Sequence, residues 1–532
     1  MGTRPCQLAV QAQPLLFLVT RAGSTLRLDS TPGGVMSILT RRCRLGVAFV
    51  PVALALGIAA SPAEAGRTAV AHRTGPSPIL GDLTTYDWGI ARYGRDPVDP
   101  SIRTLSVSPR WDATLDNSVY GQPLVYNGDV FVATGNDSIY ALNAKTGHVL
   151  WRVHVGTAVP VTTIDTAPTL SPGCGNVDPL GILGTPVIDP SSGTLFAAEE
   201  TLSGGGRWQD VRHWLVAVSI TTHRELWHRS IDPPHGNNPR YYYIAAQQQR
   251  PALTLFHGRI YVEYGGLYGD CGQYHGYVVS VPEAPLGGLL SYTVASQREA
   301  GIWGTGGAVV PPDGHLYVAT GNGASSSASH FDESNSIIEL SPALRRLGYW
   351  APADWVSLNN QDWDLGSASP VAIPGTSLLF AAGKPADAGN VGYLMRDGRL
   401  GGIGKGAFHG NVCPSGGAFG ADATDVVGRS TYVYVPCGSG TEALLVRTTS
   451  PIGFREVWSP STGSPNGPPI VAGGYVWAVD WNGNVVYGMS PTTGRVVFQR
   501  SIDTQNHFST PGFGDGMLVV ATANGVEAFA AS

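Results

Sequence analysis

Asn322 in "ATGNG" and Asp364 in "QDWDLG" place an amide and a carboxylate close to short apolar runs, and Glu199 with Glu200 adds a pair of carboxylates after a third such run. Amides and carboxylates are hard oxygen donors of the kind calcium takes. A carboxylate beside an alcohol can also accept its proton. Lys384 is one of only three lysines in the chain, a point charge able to polarise a carbonyl, and Trp303 offers a flat ring for stacking. Each has a plainer structural reading as well. Asn322 suits a turn, Asp364 suits a strand end, Glu199 and Glu200 suit a surface loop, Lys384 suits the surface, and Trp303 suits a packed seam.

Two other stretches carry chemistry-bearing residues. "GDCGQYHGYVV" holds Asp270, Cys271 and His275, but Cys-x-x-x-His alone is a poor metal signature, and a disulfide beside a polar loop explains it better. "NPRYYYIAAQQQRP", residues 238 to 251, groups tyrosines and glutamines that could stack on and hydrogen-bond a sugar-like ligand, or simply pack as a loop. No Ser-His-Asp, zincin or phosphate-loop pattern stands out.

The elements that must position these residues come from a repeat. "ALNAKTGHVLW" (141 to 151), "AVSITTHRELW" (217 to 227) and "GMSPTTGRVVF" (488 to 498) share one register, ending on a large ring, with weaker relatives ending at Trp350 and Trp458. Each is preceded by a small residue, a short apolar run, a Gly turn and a second run, as in "GQPLVYNGDVFVATG". Eight such units start near 121, 181, 248, 302, 364, 416, 463 and 508. Four short strands joined by turns cannot bury both faces of their sheet alone, and stacking the sheets radially buries them. The pattern predicts an all-β chain forming an eight-bladed β-propeller of four-stranded antiparallel blades. The last unit holds about three strands, so a strand from residues 102 to 116 is expected to complete it and close the ring. Seven blades is the alternative, because the sixth unit is irregular. Extra length at 157 to 180, 201 to 213, 233 to 247 and 323 to 334 is expected to form loops over one face.

Composition agrees with short strands: 70 glycines and few charged residues. Residues 1 to 35 resemble neither a signal nor a domain and read as an over-extended start, without structure. Met36 then opens a signal-like segment to Ala65, with Arg41, Arg42 and Arg44, an apolar run from Leu45 to Ala60, and "SPAEA". Residues 66 to 84 read as a flexible linker, and 85 to 532 as a single propeller. Six arginines, one Asp and one Glu leave with residues 1 to 65, so a formal charge of -6 becomes -10. That excludes nucleic acid and anionic membranes as partners, since both call for basic patches. The remaining cysteines, Cys174, Cys271, Cys413 and Cys437, are even in number, which in an exported protein favours disulfides. Three connectivities are open, and the expected one joins Cys174 to Cys271 and Cys413 to Cys437. The chain is expected to be secreted, periplasmic or held at the cell surface, as a monomer.

The repeat, with its Ala, Thr-Gly and terminal Trp, resembles that of the pyrroloquinoline quinone (PQQ) propellers over roughly 85 to 532. This family contains the quinoprotein alcohol dehydrogenases and non-catalytic relatives such as outer-membrane assembly propellers. "IWGTGGAVVPPDGHLYVATGN" is similar to the quinoprotein segment running from the tryptophan under the quinone to the calcium-binding Asn. The resemblance thus implies those roles for Trp303 and Asn322. "QDWDLGSASP" implies the catalytic aspartate at Asp364, also a metal ligand, and "AAGKPADAGNVGYLMRDGRLGG" implies Lys384 as the cation at a quinone carbonyl. The family's calcium-binding Glu falls at Glu199 or Glu200. The implied activity is PQQ- and calcium-dependent oxidation of an alcohol or polyol. The alternative is a scaffold that binds a glycan or an extracellular protein. The chain departs from the family in having no adjacent cysteine pair and no Pro-Trp after Asn322. It also has no C-x-x-C-H for covalent haem, so electrons would leave to an external acceptor.

Overall fold

A computed structural model describes residues 81–168, 170, 173–234, 243–384, 390–459 and 463–532. The over-extended start, the signal-like segment and the first part of the linker lie outside the described residues. Eight antiparallel blades form the ring expected from the repeat, and in blades 1 to 7 the strands are laid down in chain order from inner to outer. Blade 1 comprises Leu124–Tyr126, Asp129–Thr134, Ser138–Asn143 and Val149–His154. Blades 2 to 7 occupy 187–230, 254–293, 309–351, 371–411, 423–458 and 470–501. Blade 8 takes Gly512–Gly514, Met517–Thr522 and Gly525–Ala530 from the carboxyl end and Trp111–Thr114 from the amino end, with Trp111 opposite Ala528. The closing strand removes the two open edges a ring of unfinished blades would leave. Among the described residues, no helix is long and apolar enough to cross a membrane.

The repeat's small residue has a definite task. Ala141 faces Trp151, Ala217 faces Trp227, Ala443 faces Trp458 and Gly488 faces Phe498 across the two outer strands, and in each pair the register shifts at the next residue. A small residue leaves room for the ring, and the bulge turns the outer strand toward the neighbouring blade. Rings then cover the next blade's tight turn. The Trp111 indole donates to Ala144 O at 2.8 Å, and a Cβ on Gly147 would meet that indole at 2.6 Å. Trp151 stacks on His223 of blade 2 with centroids 5.4 Å apart, and the Trp458 indole donates to Pro491 O of blade 7 at 2.9 Å. Gly147, His223 and Gly494 all hold positive φ. The apolar core therefore runs along the seams between blades.

Residues 83–96 form a strap inside the ring. Leu83 exchanges backbone hydrogen bonds with Val125 of blade 1, Ile188 N donates to Thr84 O, Val310 N to Ile90 O, Thr424 N to Tyr93 O and Val471 N to Gly94 O. Arg92, fully buried, donates to Leu253 O at 3.0 Å and to Thr254 at 2.8 Å in blade 3. The strap thus uses backbone groups on the inner edges of blades 1, 2, 4, 6 and 7 that would otherwise lack partners in a channel. The propeller consequently takes in residues 81–84, which read as linker in the sequence. Beyond the strap, Ile102 N donates to Gly473 O at the first turn of blade 7, so the chain leaves by the face of the first-to-second strand turns. The opposite face carries the loops that enter each inner strand and the turns between second and third strands.

Candidate active-site cavity

On that second face, loops from several blades surround a cavity of about 440 Å³. Trp303, Phe419 and Phe508 enter just ahead of the inner strands of blades 4, 6 and 8, and Trp481 comes from the second-to-third strand turn of blade 7. Phe419 and Phe508 stack with centroids 5.8 Å apart, and Trp303 tilts against Phe508 at 6.2 Å. The polar lining includes Asp362, Asp364 and Lys384 of blade 5, with Gln248, Arg250 and Asp270 of blade 3.

Asp364 is held from three directions. Its carboxylate accepts the Asn322 backbone N–H, Lys384 Nζ lies 2.6 Å from Oδ2, and the Asn322 amide, with its NH2 turned inward, donates to the same carboxylate. Lys384 Nζ also lies 2.7 Å from Asp362 Oδ1 and sits over the Trp303 ring, 5.7 Å from its centroid. Gly321 makes the approach of blade 4 to Asp364 feasible, since a Cβ there would collide with Oδ1. Burial raises the Asp364 carboxyl above the usual range, and the Lys384 ammonium limits that rise. Burial opposes the Lys384 charge, but Asp364 and Asp362 together hold its pKa above the ordinary value. The pair is therefore an ion pair whose acid takes a proton more readily than an exposed Asp.

The short helix Trp355–Gln361 braces this arrangement. Asn359 Oδ1 accepts the Gly323 N–H at 3.0 Å and the Asn335 amide at 2.8 Å, while Asn335 Oδ1 accepts Leu365 N at 2.8 Å. Two side chains in series, Asn359 and Asn335, thus tie the loop after Asn322 to the segment after Asp364.

Both expected disulfides form. Cys174–Cys271, with Cα atoms 5.8 Å apart, ties the 157–180 insertion to the blade 3 loop that supplies Asp270 and Tyr274. Cys413–Cys437, at 5.1 Å, joins blade 5 to blade 6. The first puts a cross-link at the cavity rim, where Asn176 and Asp270 reach the lining.

Four of the residues singled out in the sequence gather here: Trp303, Asp364 and Lys384 in the lining, and Asn322 directly behind Asp364. Glu199 and Glu200 do not. Both are buried in the strand Thr194–Leu202 rather than in a surface loop, and alternation sends them to opposite faces of blade 2. Glu200 lies 3.6 Å from His213, and Glu199 lies near Asp137 of blade 1. Of "NPRYYYIAAQQQRP", Gln248 and Arg250 line the cavity, while 238–242 lie outside the described residues. Sequence reasoning missed Phe419 and Phe508. The signal was an aromatic followed by small residues at one place in the repeat, in "FGA" and "FST" as in "WGT". Arg250 ties this wall together: its guanidinium sits 4.9 Å from the Phe508 centroid and 5.9 Å from that of Tyr120. Burial pushes its pKa down to about 10.

Residues 106–269 match the family model described as outer membrane protein assembly factor BamB. A polyvinylalcohol dehydrogenase from a Pseudomonas species is 23% identical over 292 residues, which is 49% of this chain. The match spans only 39% of that relative's own length. Among solved structures, the quinohemoprotein alcohol dehydrogenase from Comamonas testosteroni superposes with a TM-score of 0.60 at 14% identity, covering 85% of this chain and 80% of that one. A europium-containing methanol dehydrogenase gives 0.58 at 13% identity, covering 84% and 91%. The closed ring of eight blades and the repeat that builds its seams make the chain an eight-bladed β-propeller, similar over residues 106–269 to the BamB-described repeat model and in fold to the quinoprotein dehydrogenases.

Proposed function

We propose that the cavity is the active site of a quinoprotein-like oxidoreductase that oxidises a small alcohol or polyol with PQQ and calcium. The observation that carries this reading is the Asp364–Lys384 ion pair, set against the Trp303 ring inside one aromatic cavity. The residues fit the cofactor's chemistry. A flat tricarboxylate needs ring faces and cations, which Trp303, Phe508, Lys384 and Arg250 supply, and 440 Å³ lies in the range of small-molecule sites. When bound, PQQ supplies the quinone that accepts two electrons, with calcium as a Lewis acid on its carbonyl.

The chain's own residues do the rest. Asp364 accepts the alcohol proton at its carboxylate, Lys384 keeps that carboxylate ionised and offers N–H bonds to an acceptor oxygen, and the aromatic wall excludes water. Calcium would be held by Asp364 and by the Asn322 amide after a half-turn that presents its oxygen. With Glu199 and Glu200 outside the cavity, further oxygens would come from cofactor and water. Electrons would pass to an external acceptor. The two disulfides support export to an oxidising compartment, secreted, periplasmic or at the cell surface.

A second reading rests on the match of 106–269 to an assembly-factor family model: a non-catalytic propeller that scaffolds a protein or glycan. Reconstitution decides between them. Purified chain given PQQ and calcium should show a shifted quinone absorbance and dye-linked alcohol oxidation, with oxidation lost in Asp364→Asn. Absence of PQQ binding at tens of micromolar would sink the enzyme reading, and binding without turnover would favour the scaffold.

A further inference from the structure

The displaced Glu199 raises a separate question. Its Oε2 points into the seam between blades 1 and 2 and has no hydrogen-bond partner, and Asp137, in the turn between the second and third strands of blade 1, has none at either carboxylate oxygen. Asp137 is fully buried and Glu199 is 3% exposed. A Cβ placed on Gly156 would stand 2.6 Å from Glu199 Oε2, 2.9 Å from Thr201 Oγ1 and 3.1 Å from Asp137 Oδ2, so the three oxygens crowd together against this glycine. On the other side, Asp137 Oδ1 lies 2.8 Å from the same kind of position on Gly181, with Gly135 O beside it. Thr201 Oγ1 accepts Thr157 N and gives its own proton to Thr157 O, so toward the seam it is an acceptor too.

The three heavy atoms nearest the Gly156 position are all oxygens. The charged groups acting on Asp137 are all acids, Glu199, Glu200 and Asp116, and the nearby Arg152 is taken by Asp116 at 2.7 Å. Asp137 has no donor at either oxygen and Glu199 has none at Oε2, where His228 is the one cation acting on it, and such buried oxygens cost several kcal/mol unless something neutralises them. A shared proton would join only two of the oxygens. An all-oxygen set of carboxylates, a hydroxyl and a backbone carbonyl is the donor set of a hard divalent cation.

We infer that Asp137 and Glu199 form a structural calcium site at the seam of blades 1 and 2, distinct from the cavity and independent of the function proposed for it. The ion neutralises both carboxylates and pins the blade 1 turn to the second strand of blade 2. Glycine at 156 and 181 keeps the space open.

The test uses the full chain carrying Asp364→Asn, so that an ion in the cavity is not counted. After EDTA treatment, calcium is titrated by calorimetry and the melting temperature is followed. The expected result is one bound ion and a rise of about 2–5 °C at saturating calcium, both lost on adding Asp137→Asn or, separately, Glu199→Gln. Two variants are used so that one failing to fold leaves the other decisive. Calcium without effect on the parent, or binding that survives both substitutions, overturns the site. A melting temperature that instead falls as pH rises through about 7, unaffected by calcium, identifies a shared proton in its place.

Discussion

The ammonium of Lys384 lies 2.6 Å from Asp364 Oδ2, and the two residues meet at one end of the same blade, Asp364 ahead of its inner strand and Lys384 just after its second. Lys384→Met therefore leaves a buried carboxyl with only the Asn322 N–H groups, and its pKa rises further. In the proposed oxidation Asp364 acts as a base only when ionised, so the rate should rise with pH through its pKa. The variant should move that limb to higher pH and lower kcat/KM about 100-fold at neutral pH, with Lys384→Arg partly restoring both. A pH–rate profile that falls without shifting would show that Lys384 does not set the ionisation of Asp364.

Gly147 and Gly128 both hold positive φ, at 69° and 85°, but only Gly147 lies under a ring. Alanine at either position strains the backbone. At 147 its Cβ also collides with Trp111, displacing the blade 8 ring from blade 1. Gly147→Ala should cost about 2–3 kcal/mol more than Gly128→Ala, read as the difference in denaturation midpoints. Equal losses would mean that the seam yields without penalty.

His213, fully buried between Glu200 and Asp232, gives a pH signature of stability. Burial lowers its pKa, but the carboxylates of Asp232 and Glu200, each 3.6 Å from a ring nitrogen, outweigh that and carry it to about 9. The folded value exceeds the unfolded one of about 6.5, so the imidazolium stabilises fully below pH 6.5, and the gain is lost as pH rises through about 9. His213→Gln should melt below the parent at pH 6, with the gap closing toward pH 9.5. A gap that stays constant across this range would place the neutral ring in the folded protein.

The Cys174–Cys271 bond spans 97 residues and holds the 157–180 insertion against blade 3. Replacing both cysteines with serine should leave the ring folded, since the seams do not depend on the bond, yet expose the insertion to protease. Affinity for whatever fills the cavity should drop about tenfold, through the cost of ordering the rim on binding. Unchanged proteolysis would show that packing around Leu170 and Leu267 suffices alone.

Most of the architecture was legible in the sequence because a propeller is built from local contacts repeated. Ala141 opposite Trp151, and the turn after it, are fixed by residues ten apart, and the pattern recurs in each well-formed blade. Ring closure was legible as well, because three strands at one end and one at the other leave a single solution. The cysteine pairing was open among three connectivities in the sequence, and the structure decides it by bringing the 157–180 insertion against blade 3 and blade 5 against blade 6.

The site was legible only as far as the repeat carries it. Trp303, Asn322, Asp364 and Lys384 belong to adjacent units, so their order along the chain kept them together in space. Glu199 and Glu200 were misplaced because one position along a strand reverses the face. Side-chain alternation sends Glu199 to Asp137 and Glu200 to His213, which no spacing argument at that distance can decide. The cavity wall of Phe419, Phe508 and Arg250, the Asn359 brace and the strap through the channel likewise depend on contacts between units far apart in sequence. The sequence by itself determined the blades, through period and alternation; only the closed ring decided that there are eight and which buried polar groups meet, because that depends on how the sheets are rotated against one another.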